Sequence, residues 1–226
     1  VGCEACHGAG AAHNRLMEAG PGSVDFAEIA PGYKGKELTQ EQLVHSCGRC
    51  HARRRVLRLG MKPGDDFYDY YLPEIFDGEA YYPDGQIREE DFEFTSFSIA
   101  LMFEKKVKCV DCHDPHTAVR KREGNRLCLE CHQPYLNEFA HTMHEEGSEG
   151  ALCERCHMPQ TTYMGRDPRR DHSFSIPRPE LTVEMGIPNA CDRCHAEEGP
   201  QWAIDAMNAH YGERKRIEHP FARAIA

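Results

Sequence analysis

The sequence predicts a mostly irregular chain with short α-helices and little β structure, cored by something other than its own side chains. Three observations carry this. Leu, Ile, Val and Phe number 39 of the 226 residues, about 17%, whereas chains below roughly 20% with a high net charge ordinarily stay disordered. The charged residues leave a formal net charge of −10. Against both stand twelve cysteines, enough to hold a fold together if they are attachment points rather than scattered thiols.

Every cysteine falls in a C-x-x-C pair followed at once by histidine. The six motifs are Cys3-Cys6-His7, Cys47-Cys50-His51, Cys109-Cys112-His113, Cys128-Cys131-His132, Cys153-Cys156-His157 and Cys191-Cys194-His195. Histidine is 14 of 226 residues, so its chance placement after all six pairs has a probability on the order of 10⁻⁷. C-x-x-C-H is the attachment site of a c-type haem. On a helical turn, residues i and i+3 share a face, so both thiols reach the vinyl groups of one porphyrin while the adjacent imidazole is offered to the iron. Structural zinc would not require histidine after every pair, and low-potential clusters prefer C-x-x-C-x-x-C runs that are absent. A redox dithiol occurs once per domain, and a disulfide framework has no use for the histidines. The expectation is therefore one haem-cored domain over residues 1–226 with six haems c, the multihaem cytochrome c fold class. At roughly 38 residues per cofactor, porphyrins supply the missing apolar interior and the polypeptide wraps them.

In chain order, His13 follows the first motif closely and is a candidate distal iron ligand. Thr39 and Gln42 form a capping-box pattern that starts a helix running through His45, another distal candidate, into the second motif. The gap before Cys109 holds Phe67, Tyr68, Tyr70, Tyr71, Phe76, Tyr81, Tyr82, Phe92, Phe94, Phe97 and Phe103, expected against porphyrin faces. Asp84-Gly85 predicts one small hairpin joining Tyr81-Tyr82 to Gln86-Ile87. His116 lies three residues beyond the proximal His113. Three residues reach at most about 10 Å, too little to pass round a macrocycle, so His116 serves a different haem or none. His141 and His144, at i and i+3, are distal candidates on a helix from Tyr135 that Gly147 stops, and should face one side. His172 completes the distal set, while His210 and His219 sit in a polar tail. Arginine clusters, Arg49 to Arg58 and Arg166, Arg169 and Arg170, suit either solvent or haem propionates. Pro200 and Gly212 bracket a terminal helix whose stripe of Trp202, Ala203, Ala206, Met207 and Tyr211 reads as a docking face.

The acidic balance excludes a nucleic-acid partner, whose phosphates require basic surface. The longest apolar run, Ile99 to Phe103, is far below the roughly 20 residues of a membrane span, so no membrane insertion is expected. Both ends read as cut: the chain opens two residues before a motif and closes on a helix-like segment.

The stretches CEACHGAGAAH, CHARR, CVDCHDPH, CHMPQTTYMGRDPRRDHSF and PNACDRCHAEEGPQWAIDAMNAHYG resemble the multihaem cytochromes c that precede a tetratricopeptide-repeat region, distant kin of nitrite-reductase-like haem stacks. The resemblance implies further haem motifs upstream, helical repeats downstream, and His13, His116, His141, His144 and His172 as distal ligands. His45 and His210 depart from that pattern.

The function these features point to is electron transfer outside the cytoplasm, periplasmic or extracellular, through mostly bis-histidine haems serving redox partner proteins. Two alternatives stand beside it. One is a filament of copies of the chain; the other is an oxidoreductase acting on a small nitrogen or sulfur oxyanion at one open haem. No catalytic residue is assigned, because all thiols are committed to attachment.

Overall fold

A computed structural model describes residues 2–20, 38–76, 78–135 and 138–212. His219 and the end of the chain lie outside them. The chain forms two compact units, Val1–Glu74 with Lys106–Cys109 and Ile75–Lys105 with Val110–Ala226.

In the first unit, the helix Gln40–His51 starts as its sequence requires. Thr39 Oγ1 accepts the Gln42 N–H at 3.2 Å, and Gln42 Oε1 accepts the Thr39 N–H at 3.1 Å, closing the capping box. Its apolar face buries Leu43 and Val44, and it packs against the single turn Phe67–Asp69. Phe67 is wholly buried, worth about 2–3 kcal/mol relative to exposure, and its ring lies 5.2 Å from that of Tyr71. Two three-residue strands, β1 (Arg54–Val56) and β2 (Tyr71–Pro73), pair antiparallel with Arg55 opposite Leu72. The 106–109 segment is tied to the helix start by Gln40 Nε2 donating to Val107 O at 3.2 Å and Lys108 Nζ donating to Leu38 O at 3.1 Å.

The second unit has a small side-chain core of Ala80, Tyr81, Ile87 and Tyr163 with Phe76 against it. The Tyr81 hydroxyl donates to the buried Asp91 carboxylate. The Asp84-Gly85 turn forms, with Gly85 N–H on Tyr82 O at 2.8 Å, but it closes a single bridge, Tyr81 to Ile87, and no strands. The hairpin of this unit lies elsewhere, in β3 (Gln160–Tyr163) and β4 (Asp167–Arg170). Met164 and Gly165 both have positive φ, 52° and 71°, the geometry of a type I′ connection. Met-Gly is a weaker turn signal than Asp-Gly, which is why the sequence points to the wrong hairpin.

The terminal helix runs Gly199–Tyr211 with proline in its first turn and Gly212 beyond it. Its stripe is buried only in part: Ala203 and Met207 are buried while Trp202 and Tyr211 are exposed, and the helix Pro179–Met185 packs against the terminal helix. The helix expected from Tyr135 spans Glu138–Thr142 within the described residues. It ends at Thr142, before Gly147, because Met143 turns left-handed with φ 63°. The long-gap aromatics meet one another and neighbouring side chains: Phe97 lies 5.9 Å from Phe103 and Phe76 lies 4.6 Å from Tyr81. Among the described residues no helix is long and apolar enough to cross a membrane.

Candidate haem-attachment sites

Each motif folds as a helical turn. Glu4–His7, Gln40–His51, Cys109–Cys112 and Cys153–His157 carry four of them, Cys191–Arg193 is a single turn, and Asn125–Leu129 opens the remaining one. In three motifs the histidine N–H closes the turn on the first cysteine: His7 on Cys3 O at 2.9 Å, His132 on Cys128 O at 3.0 Å and His195 on Cys191 O at 2.9 Å. This bond brings the two thiols to one side, as two thioether links to one ring demand. None of the twelve cysteines is in a disulfide, and none is buried.

Consecutive motifs are neighbours. Within the first unit, Cys6 lies in the field of Cys47 and Cys50, which, after burial, raises its thiol pKa. Cys47 is hydrogen-bonded to Cys109, which lowers its own to about 7. Within the second, Cys112 feels Cys131, and Cys128 is held up chiefly by its hydrogen bond with Cys153. Burial, then Cys191, pushes Cys156 to about 11. Attachment points that follow one another in sequence therefore follow one another in space inside each unit.

Among the described residues, His113, His157 and His195 each face a histidine from outside the motifs. The ring centres of His113 and His172 are 6.4 Å apart, of His157 and His141 5.9 Å, and of His195 and His144 6.2 Å, with interplanar angles of 29°, 9° and 38°. All six rings are half-buried. Metal–imidazole nitrogen bonds of about 2.0 Å, added to the ring radii, separate the ring centres by roughly 6 Å when one metal atom lies between two imidazoles. The residues present therefore fit a bis-histidine iron.

The hydrogen bonds of these rings agree. A carbonyl only accepts, so the Nδ1–H groups must donate: His157 to Ser175 O at 2.9 Å, His172 to Arg170 O at 2.9 Å and His144 to Thr142 O at 2.6 Å. That tautomer leaves Nε2 with its lone pair, the arrangement of metal-ligating histidines. Burial and the neighbouring His157 lower the pKa of His141, favouring the neutral ring. His210 is the counterexample, with its Nε2 against Ala140 O at 2.9 Å.

The expectation that His141 and His144 face one side is corrected. The helix ends between them, and they meet different proximal histidines. His13 is exposed on the helix Ala11–Ala19. His45 points Nδ1 at the Phe67 N–H, 3.3 Å away, and at Asp66 Oδ1, 3.5 Å away, with its pKa lowered by burial. His116 is exposed, in a turn built by Asp114, whose Oδ1 accepts the N–H groups of His116 and Thr117 at 2.8 and 3.2 Å.

Two of the arginines expected to divide between solvent and propionates bond to protein groups. Arg169 donates to Asp167, Glu90 and Asp91 O, and Arg170 to Glu154 and Met158 O. Residues that the motif reading missed cluster round the histidines. Trp202, assigned to a docking stripe, puts its ring 4.7 Å from that of His195, and the Tyr211 hydroxyl donates to His141 O. The Thr142-Met143-His144 turn carries the one sequence cue, a threonine two residues before a histidine, a position from which it can bond the local backbone.

Residues 102–137 match the family described as the doubled CXXCH motif. A comparison with curated proteins finds no match. Among solved structures, the chain is similar to the outer cell wall cytochrome OcwA, with a TM-score of 0.60 at 16% identity over 92% of this chain. It spans 57% of that cytochrome's length. The chain thus has the fold of a multihaem cytochrome, and its C-x-x-C-H motifs mark covalent attachment of haem c.

Proposed function

We propose that this chain is an electron relay of six covalently bound haems, most of them held between two histidines, working outside the cytoplasm. The observation that carries the reading is the trio of histidine pairs, His113 with His172, His157 with His141 and His195 with His144, each spaced for one metal atom. When bound, haem iron supplies a one-electron couple whose potential the axial ligands and their surroundings set. The residues of the chain do the rest. Cysteine pairs on one side of a turn fix each ring, the Nδ1 bonds to backbone carbonyls aim the imidazoles, and the succession of neighbouring thiols spaces the sites closely. His13, His45 and His116 remain as distal candidates for the irons proximal to His7, His51 and His132, His45 needing the Nδ1–H tautomer in place of the one that accepts the Phe67 N–H. An iron ligated on both faces passes electrons without binding substrate, so the partners are donor and acceptor proteins. Export is supported by the likeness to a cytochrome of the outer cell wall. The motif stretches support placement among the cytochromes that precede a tetratricopeptide-repeat region.

The test is low-temperature electron paramagnetic resonance of the oxidised protein, followed by carbon monoxide added to the reduced form. Low-spin ferric signals should account for most of the haem, and carbon monoxide should leave most of the visible spectrum unchanged. A dominant high-spin signal, or a broad carbon monoxide shift, contradicts the relay and favours an enzyme with open irons.

A further inference from the structure

We infer that Gly150 and Thr142 are positioning residues that hold the His144 imidazole against His195. The inference rests on the reading of His144 as a distal ligand and extends it to residues that touch no iron.

Gly150 lies in the single turn Glu149–Ala151. It does not have a positive φ, so its backbone conformation does not call for glycine. The demand comes from the ring. A Cβ at Gly150 would fall under 3.0 Å from His144 Cδ2, Cγ and Nε2, inside their van der Waals envelope. Only a residue without a side chain lets the imidazole lie across that turn.

The ring has little freedom to yield. Its Nδ1–H donates to Thr142 O at 2.6 Å, and the His144 backbone N–H donates to Thr142 Oγ1 at 3.2 Å. The Thr142 hydroxyl in turn donates to His144 O at 3.3 Å. Met143 between them is left-handed, φ 63°, which folds the chain back so that one threonine holds the ring and the backbone of the residue two positions on. An added methyl at Gly150 can be relieved only by breaking the Nδ1 bond or by tilting Nε2 away from His195. The Thr142 carbonyl aims the ring, the Thr142 hydroxyl holds the turn that presents that carbonyl, and the glycine makes room for the ring.

The experiment compares His144→Ala, Gly150→Ala and Thr142→Val in the haem-loaded chain by quantitative electron paramagnetic resonance, with carbon monoxide binding in the reduced state. His144→Ala should add one high-spin, carbon monoxide-binding haem per molecule, returned to low spin by added imidazole. Gly150→Ala should give the same signature although His144 is present. Thr142→Val, nearly the same shape without the hydroxyl, should convert a fraction of that same haem or shift its low-spin signal. If His144→Ala leaves every haem low spin, the ligand reading itself fails. If His144→Ala converts a haem while Gly150→Ala and Thr142→Val retain parental spectra, the ligand stands and the positioning role is overturned. Should Gly150→Ala not accumulate with its full haem complement, Thr142→Val decides, and a parental spectrum there overturns the inference.

Discussion

The stretch from Leu38 to Tyr71 and the stretch from Glu138 to His195 are held by different means. The first follows the rules of an ordinary protein: a capped helix buries Leu43 and Val44, and Phe67 is completely shielded. The second has helices of only five and seven residues, Glu138–Thr142, Cys153–His157 and Pro179–Met185. Three of its histidine rings, His144, His157 and His172, are fixed by bonds to the carbonyls of Thr142, Ser175 and Arg170. Where side chains make the interior, burial sets the structure. In the second stretch side chains such as Tyr163, Leu181 and Ile187 are buried as well, and on the proposed reading the backbone carbonyls that hold its imidazoles aim them at a prosthetic group.

This contrast can be broken by mutation. Replacing Cys153 and Cys156 together with serine should remove one haem and produce the largest loss of thermal stability, because those thiols adjoin Cys128 and Cys191. Intact mass and a thermal melt read both effects, and a small change in melting would show that the second region is not held by its haems. Phe67→Ala should cost about 3–5 kcal/mol in denaturant unfolding while leaving the haem complement whole; loss of haem would place a porphyrin, not a side-chain core, around that ring. His172→Ala should convert the haem proximal to His113 to high spin with a smaller stability change, read by carbon monoxide binding. Thr39→Ala, which removes the cap of the helix Gln40–His51, should cost about 1 kcal/mol with unaltered visible spectra.

What could be read from the sequence divides along the same line. The attachment sites were legible because their chemistry is strictly local: two thiols and an imidazole within five residues. The Thr39 to Gln42 start was legible because a capping box is local too. The histidine pairs are only half legible. His172 and His141 can be named as candidates, but the approach of His172 to His113 across 59 residues and of His141 to His157 across 16 follows no spacing rule. The end of the helix at Thr142 was misplaced because Gly147 carries the stronger stop signal, while the left-handed turn falls on Met143, a residue without that preference. Gly150 was invisible for a related reason, since its need for glycine comes from a ring brought to it by tertiary structure rather than from its own backbone angles.

The central claim is that porphyrins, thioether-linked at six places, stand in for the interior that the amino acids do not provide. Intact-mass measurement of the purified, acid-denatured protein tests it most directly. The account predicts the 25.7 kDa polypeptide plus six haems, with colour that stays on the chain in acidified acetone. A mass equal to the polypeptide alone, or pigment that extracts into the solvent, would contradict it.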